Sequence, residues 1–365
     1  MFFKHELPRQ ALAFKEEKPR LCMPALPAIQ RPEISIRETA VETVFLVNPA
    51  DANPLGILHG GNMMNWLVSV GTLAVSRLAK GNAVLGSLDS VFFVNPVKVG
   101  NLAYVRAWTE YIGKSSLEVG VRARTENPIT GQTSVTTLSH MAFIAVGMHG
   151  EPRLVPARIK PEKGESAIYR QAVSRWEARK SSLQGRKLLA EDTGEYGKGS
   201  KWHMSFSRIV MTEDAVYGGI MFGGRLLKLL DEFTGALATR FCKGDAVTGA
   251  VDDMSFYYPI RVGDVLDVDV ALNRVGRSSL EIGAKVVAED PFTGNRHHAA
   301  TAYYTFVHIG SDGKPVSVPP YKPHSKDEIM RLEEAESRAE QREKKLIALR
   351  ELVNTGSPGR FADPA

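Results

Sequence analysis

The chain has 365 residues, of which 43% are hydrophobic and 24% charged, and its formal net charge is +5. These values are typical of a soluble globular protein with room for two domains, and no apolar run approaches the ~20 residues of a membrane span. The weak positive charge, without a basic stripe interleaved with aromatic residues, argues against a nucleic-acid partner and suits a small anionic ligand. The two cysteines, Cys22 and Cys242, provide neither a disulfide framework nor a metal site.

Residues 1–37 are predicted to form an N-terminal arm. The first twenty residues mix acids with bases and contain no apolar segment, so they do not have the pattern of a secretory signal. Glu6, Glu16 and Glu17 argue against a mitochondrial presequence. We therefore expect a cytoplasmic protein, with a mitochondrial location left open.

An internal repeat is the strongest signal in the sequence. The stretch "GKSSLEVGVRARTENPITGQ" (113–132) aligns without a gap on "GRSSLEIGAKVVAEDPFTGN" (276–295), with ten identities in twenty positions. The offset is 163 residues, and it is held over roughly 100 residues, which indicates duplicated domains and not a short repeat array. The two domains are placed at 38–150 and 201–312.

Each copy is predicted to contain a strand, a loop, a long helix and four further strands. From Leu117 to Arg124 apolar and polar residues alternate, which is the period of a strand with one buried face. The helix from Gly61 to Ala79 carries one charge, Arg77, and is expected to be buried on all sides. One curved antiparallel sheet of five strands would enclose such a helix. In the first copy the strands are expected at about 38–47, 84–94, 102–112, 115–126 and 132–147.

The segments outside the two copies are predicted to be helical. Residues 151–200 join the domains and are expected to contain a helix with a basic face. Residues 313–365 are expected to contain a highly charged helix and a disordered tail. The charge pattern of this helix is typical of a solvated helix lying on the body of the protein, with a partner-binding coiled coil as the alternative.

The ordered set of motifs resembles a known family. A loop ending in His59-Gly60-Gly61, a central apolar helix, a strand with a Pro-X-X-X-Gly turn and the stretch "GKSSLEV" are similar to the hotdog fold. The doubled arrangement resembles the tandem-hotdog acyl-CoA thioesterases, including the cytosolic and brown-fat-inducible acyl-CoA hydrolases. The resemblance implies an α+β fold of two tandem hotdog domains, each a curved antiparallel five-stranded sheet wrapped around a central helix.

The two copies differ at polar positions near the start and in the middle of the helix. The first copy has polar residues in the loop and at the helix start, and the second has acids in the middle of the helix. The resemblance implies that a site combines the loop and helix start of one domain with the helix acid of the other. The competent site would then contain Asn53, His59, Gly60, Gly61 and Asp231, and the opposite site is expected to be inert. The aligned pairs are Asn53 with Val216, His59 with Phe222, Val68 with Asp231, and Ser69 with Glu232.

Thioester hydrolysis gives each of these residue types a role. Free amides at the helix start, where Gly60 and Gly61 allow a carbonyl to approach, would stabilise the developing oxyanion. Asp231 would act as a general base on water or attack directly through an anhydride, and both routes stay open. Asn53 would hold the water or the thioester oxygen. His59 would orient the loop or polarise the carbonyl.

Structural alternatives exist for the same residues. Asp231 is alternatively a structural acid, Asn53 a turn-stabilising side chain and His59 a hydrogen-bonded loop residue. Glu232 is expected to pair with Lys228, and its alternative is to be the catalytic acid itself. Some members of the family also place a serine or threonine one turn after the acid. Gly235 occupies that position here, so a threonine contact to the acid would have to come from Thr234.

The adjacent His297 and His298 face opposite sides of a strand, so no metal site is predicted.

The segments "GKSS" and "GRSS" are candidates for contacting the CoA part of a substrate, because they resemble the segments that do so in the family. The alternative is a pair of hairpin turns with solvated ends. The candidate residues are Lys114, Ser115, Ser116, Arg277, Ser278 and Ser279.

The resemblance implies hydrolysis of acyl-CoA thioesters to free fatty acid and CoA. No cofactor is expected, because metal-ligand spacing and a phosphate-binding GxxxxGK[ST] motif are both missing from the sequence. The alternatives are a hotdog hydratase or dehydratase acting on acyl thioesters, and a non-catalytic acyl-CoA sensor. The tandem chain is further expected to be a pseudo-dimer that assembles into a trimer.

Overall fold

The computed structural model describes residues 31–355, so most of the predicted N-terminal arm and the end of the predicted tail lie outside the described residues. The described part contains fourteen strands and four α-helices. The helices are α1 Gly60–Ala79, α2 Ser166–Glu191, α3 Gly223–Cys242 and α4 Lys326–Thr355. The strands are β1 Glu33–Ile34, β2 Val41–Leu46, β3 Ala83–Leu88, β4 Val91–Phe92, β5 Leu102–Ile112, β6 Ser116–Glu126, β7 Thr133–Ala145, β8 Arg158–Ile159, β9 His203–Ile209, β10 Asp245–Val251, β11 Met254–Phe256, β12 Val265–Val275, β13 Ser279–Glu289 and β14 Arg296–Ile309.

Each copy builds one antiparallel sheet around its own helix. The strand order is β2-β5-β6-β7-β3 in the first copy, while the second copy orders β9-β12-β13-β14 and adds β10 and β11. Helix α1 packs on the strands of the first sheet and α3 on those of the second. The sheets join edge to edge, because β3 pairs with β11 and β4 with β10, and they form one continuous sheet of twelve strands. The predicted tandem hotdog fold is confirmed.

The predicted strand at 84–94 is wrong in one respect, because it is interrupted at Asp89 and Ser90. Both the amide and the hydroxyl of Ser90 donate to Asp253 Oδ1, at 2.7 and 2.6 Å. Ser90 and Asp253 are 163 residues apart and therefore occupy equivalent positions in the two copies. The break thus lies where the two sheets meet, and a cross-copy contact replaces the regular ladder.

Helix α1 is buried over most of its surface, as its composition predicts, and it packs against α3. Leu67, Val68 and Val70 are fully buried. The prediction that the helix is buried on all sides is wrong for a narrow strip, because Leu73 is 51% exposed and Arg77 is also exposed. The described residues contain no helix that is both long and apolar enough to cross a membrane.

The duplication extends into α2 and α4, which run outside the domain boundaries drawn from the sequence. The stretch "AVSRWEAR" (172–179) aligns on "AESRAEQR" (335–342) at the same offset of 163, with five identities. The paired arginines of each helix form ion pairs with acidic side chains of its own copy, of which Glu110, Glu118 and Glu281 are buried. The ion pairs are Arg175 with Glu110, Arg179 with Glu118 and Asp89, Arg338 with Glu281, and Arg342 with Glu281 and Asp252. The repeating unit is therefore a hotdog domain together with the helix that follows it.

The residues just before the first domain are attached to this body. Strand β1 pairs in parallel with β8, and Ile36 is fully buried. The carboxylate of Glu165 accepts the amides of Ile36 and Arg37 at 3.1 and 2.8 Å. The last residues of the predicted arm are therefore anchored beside the start of α2.

Candidate active site

The acid of one copy meets the helix start of the other. The amide of Gly61, the second residue of α1, donates to Asp231 Oδ2 at 2.7 Å. Asp231 lies within α3 and its side chain is fully buried. A helix start has amides without intrahelical partners and a positive dipole end, so a carboxylate placed there is stabilised. The structure thus brings together the two halves that the sequence separates by 170 residues.

His59 occupies the N-cap of α1 and completes this contact. Its Nδ1 atom accepts from the amide of Gly61 at 3.2 Å and lies 3.2 Å from Asp231 Oδ2. The Gly61 N–H is therefore shared between the imidazole and the carboxylate. The ring is 29% exposed, in contrast to the buried acid.

Thr248 on β10 is a site residue that the sequence analysis missed. Its hydroxyl donates to Asp231 Oδ1 at 2.8 Å, so both carboxylate oxygens are held. The sequence predicted that any such contact would come from Thr234. The Thr234 hydroxyl instead donates to the carbonyl of Leu230 at 2.6 Å. The alignment of the two copies could have identified Thr248. It aligns with Leu85, so this position is polar in one copy and apolar in the other, like the positions of Asn53, His59 and Asp231.

Gly60 permits the close approach of these groups. A Cβ atom at Gly60 would lie 2.7 Å from Thr248 Cβ and 3.2 Å from Asp231 Oδ2. Real Cβ contacts are not as short as 2.7 Å, so any side chain here would displace the threonine. Glycine at this position therefore lets Thr248 and Asp231 pack directly against the start of α1.

The electrostatic environment of Asp231 favours its protonated form more than water would. Burial raises the pKa of Asp231 above its usual range, and the nearby Glu232 adds to this effect. His59, the Thr248 hydroxyl and the Gly61 amide lower the same pKa without cancelling the effect of burial. An acid with a raised pKa is a stronger base once it is ionised, which suits proton abstraction from water.

Asn53 lies in the loop that leads to α1. Its Oδ1 atom accepts from the amides of Leu55 and Ile57 at 3.0 and 3.3 Å, which is the turn-stabilising role given as its alternative. Among the described side chains and backbone groups, none accepts a hydrogen bond from its Nδ2 group, so the donor end of the amide is available to a ligand. The loop is tied to the helix start, because the Asp51 carbonyl accepts from the His59 amide at 2.9 Å.

Glu232 pairs with Lys228. Its side chain is 45% exposed, and its Oε1 atom lies 3.9 Å from Lys228 Nζ, which is the predicted i,i+4 pair. The two adjacent histidines are engaged elsewhere: His298 contacts the Leu189 carbonyl and Thr301, and His297 stacks on Tyr258. Within residues 31–355 there is no cluster of three or more residues suited to hold a metal ion.

The candidate CoA-binding segments lie at the turns between β5 and β6 and between β12 and β13. Ser116 accepts from Trp176 Nε1 of α2 at 3.0 Å, which places it under that helix. The other five members accept hydrogen bonds through their backbone carbonyls, and a role in binding CoA stays a prediction for all six. These backbone carbonyls belong to Lys114, Ser115, Arg277, Ser278 and Ser279.

The opposite site repeats the backbone of the competent one without its polar groups. Phe222 occupies the N-cap of α3 and makes no side-chain cap. A Cβ atom at Gly223 would lie 2.9 Å from Leu85 Cβ, which mirrors the approach of Gly60 to Thr248. Val68, fully buried, stands where the competent site has Asp231. A cavity of about 310 Å³ opens here between the two domains.

Comparison with known proteins agrees with the duplicated architecture. The thioesterase superfamily model matches residues 55–132 and again residues 218–293. The chain is 30% identical over 312 residues to the cytosolic acyl coenzyme A thioester hydrolase of Mus musculus, covering 80% of each chain, and 28% identical to that of Homo sapiens over the same length. Among solved structures, an acyl-CoA hydrolase from Staphylococcus aureus in complex with butyryl coenzyme A is 29% identical, with a TM-score of 0.39, covering 43% of this chain and 99% of that one.

Proposed function

Because the chain belongs to the thioesterase superfamily, alongside the cytosolic acyl-CoA thioester hydrolases, we propose that it hydrolyses acyl-CoA thioesters to free fatty acid and CoA. The reaction would take place at the one composite site between the two hotdog domains. The observation that carries the proposal is the buried Asp231 carboxylate, held by Gly61 and Thr248 at the start of a helix from the other copy.

The Gly60 amide is the group best placed to stabilise the oxyanion. The Gly61 N–H is already used by Asp231, whereas the amide of Gly60 is the first of α1 and has no intrahelical partner. A thioester carbonyl placed over Gly60 would gain the helix dipole as its oxygen becomes negative. The Nδ2 group of Asn53 supplies a second donor, to this oxygen or to the attacking water.

Asp231 supplies the base or the nucleophile. As a base, it takes a proton from water while the water oxygen attacks the thioester carbon, and the tetrahedral intermediate then collapses to the fatty acid and expels the CoA thiolate, which is protonated. As a nucleophile, it attacks the carbonyl carbon itself, forms a mixed anhydride and releases the CoA thiolate before water cleaves the anhydride. A single turnover in ¹⁸O-labelled water can identify the anhydride route. If water attacks the anhydride at the side-chain carboxyl carbon of Asp231, the label enters Asp231, whereas the general-base route leaves Asp231 unlabelled.

Release of free thiol from acyl-CoA, followed with a thiol reagent, tests the proposed activity. Steady thiol release with full conversion of the substrate is the expected result. Addition of water to an enoyl-CoA without thiol release would instead identify a hydratase. Saturable binding of acyl-CoA with neither reaction would identify a sensor. Either of these last two results would contradict the proposal.

We further propose that the site needs no metal or organic cofactor, and that CoA enters only as part of the substrate. Thiol release should persist after treatment with a chelator, and restoration of a lost activity by one divalent ion would contradict this. The chain is proposed to act in the cytoplasm, as the names of its relatives suggest. Its mass is 40.0 kDa, and light scattering should give about three times this value if it forms the proposed trimer.

A further inference from the structure

We propose that the opposite site is a second, non-hydrolytic binding site for an acyl chain, so that one molecule holds two acyl groups and turns over one. The inference rests on the proposed function, because the ligand class is taken from the competent site to which this site is internally related. The opposite site is defined by Val68 of α1, Leu85 of β3, Val216 and Phe222 of the second loop, and the start of α3.

The cavity at the opposite site has the size and lining of a site for an apolar ligand. Its volume is about 310 Å³, and none of the residues that line it carries a charge. Small-molecule sites are concave, mainly apolar and typically at least this large. Poorly held water in an apolar cavity is displaced favourably by apolar groups. The apolar lining includes Leu85, Ile144, Val216, Phe222, Leu226 and Phe256.

The cavity is the internal counterpart of the competent site and not an unrelated cleft. Of the residues that line it, Leu85, Val216 and Phe222 align at the 163-residue offset with Thr248, Asn53 and His59 of the competent site. The close approach of the helix glycine to the neighbouring strand is the same on both sides. Loss of the acid, the amide and the hydroxyl removes the means of activating water. The same replacements make the surface more favourable for a hydrocarbon chain.

The start of α3 provides the polar contact that an acyl head group needs. At the competent site the corresponding amide, that of Gly61, donates to Asp231 and His59. The equivalent residue here is Gly224, which lies beside Asn65 and outside the cavity lining, whereas Gly223, the first residue of α3, lines the cavity. In the described part of the chain no side chain caps this helix. The amide of Gly223 can therefore donate to a carbonyl or carboxylate oxygen at the head of the bound chain.

Binding stoichiometry tests the inference directly. The probe is a 2-oxoalkyl-CoA thioether with a dodecanoyl-length chain, in which a methylene between sulfur and carbonyl prevents hydrolysis. Calorimetric titration should give two equivalents per chain for the wild type and one for Val216→Trp, which fills the cavity. Val262→Trp, the same change at an exposed position outside the cavity lining, should keep two equivalents. One equivalent in the wild type, or two in a folded Val216→Trp, would overturn the inference.

A smaller substitution protects the test against misfolding. In Val216→Cys the new thiol should be alkylated by iodoacetamide, and the analogue should slow alkylation at least tenfold if a chain occupies the cavity. Unchanged alkylation at saturating analogue would overturn the inference. Protection by dodecanoate alone would identify a free fatty acid as a sufficient ligand, and protection only by the CoA analogue would require the whole thioester. Protection by CoA without an acyl chain would contradict the ligand class.

Thiol release from dodecanoyl-CoA is measured on the same samples, so that the two proposals fail separately. Val216→Trp should retain turnover within about twofold, because it lies outside the competent site. A single equivalent with normal turnover would overturn only the second binding site. Two equivalents without turnover would overturn only the proposed hydrolysis.

Discussion

The amide of Gly61 and the carboxylate of Asp231 form a 2.7 Å hydrogen bond that joins the two copies of the duplicated domain. Its counterpart cannot form at the opposite site, because Val68 stands in the place of Asp231. In a dimer of identical chains, any substitution would alter both sites at once. In a tandem chain each copy can change separately, and here each has kept the half that one site needs.

Alanine substitutions at Asp231 and Asn53 should each reduce thiol-release kcat/KM by about 10²-fold or more, the scale of losing a general base or an oxyanion contact. Their counterparts Val216→Ala and Ser69→Ala should change it little. An Asp231→Ala variant with full activity, together with loss in Glu232→Ala, would place the base one residue later. A loss in Ser69→Ala equal to that in Asp231→Ala would contradict a single competent site.

The double variant Asn53→Ala/Asp231→Ala should be scarcely less active than the poorer of the two single variants. Residues that act together on one reacting centre give strongly non-additive effects, because removal of the first already disables the step that the second assists. Steady-state rates of the wild type, both single variants and the double variant provide the test. Losses that multiply would instead show that the two residues contribute independently.

Thr248→Val should move the acidic limb of the pH–rate profile to higher pH. The Thr248 hydroxyl stabilises the ionised carboxylate and so lowers the pKa of Asp231, which burial holds above its usual range. Removing the hydroxyl raises that pKa further, and the base is active only when ionised, so activity should fall more at low pH than at high pH.

Thr234→Val is the matched control for this prediction. Its hydroxyl donates to the Leu230 carbonyl and not to the carboxylate of Asp231, so the acidic limb should stay in place. Equal shifts in the two variants would show that general loosening of the core, and not the bond to Asp231, moves the profile.

The repeat allowed the fold and most of the candidate site to be predicted from the sequence. A register of 163 residues identified two equal domains, and the differences between the copies pointed to Asn53, His59 and Asp231. Thr248 was missed because it lies on a strand, 17 residues after the acid, and only the curvature of the sheet brings it to Asp231.

The domain boundaries predicted from the sequence left the arginine-bearing helices α2 and α4 outside the repeat, for a different reason. Their similarity is confined to one short stretch, and the residues around it differ, because only the side that faces the sheet has to present two arginines. The partners of these arginines are acids on strands distant in sequence, such as Glu118 for Arg179. The common role therefore becomes visible only when the sheet and the helix are seen together.

The buried acids under α2 should make stability depend on pH in a direction that variants can reveal. Burial raises the pKa of Glu118 to about 7, from 4.5 for the free side chain, although Arg179 opposes this. Between about pH 4.5 and 7 the folded state then binds more protons than the unfolded state, so this group lowers the free energy of unfolding as pH rises. In Glu118→Gln the contribution is missing, so the variant should be less stable relative to the wild type at about pH 5 than at about pH 7.

His140, which lies 3.7 Å from Glu110 under the same helix, should show the opposite dependence. Burial lowers the pKa of His140 well below its usual 6.5, with Arg175 and Arg179 adding to the effect. Below that pH the unfolded state takes up a proton that the folded state does not, so wild-type stability falls as pH falls through this range. His140→Gln removes this loss and should gain stability relative to the wild type on going from about pH 7 to 5. Urea unfolding of the wild type and both variants at the two pH values is the measurement. If the stability relative to the wild type changes in the same direction in both variants between the two pH values, the assigned protonation of the cluster is contradicted.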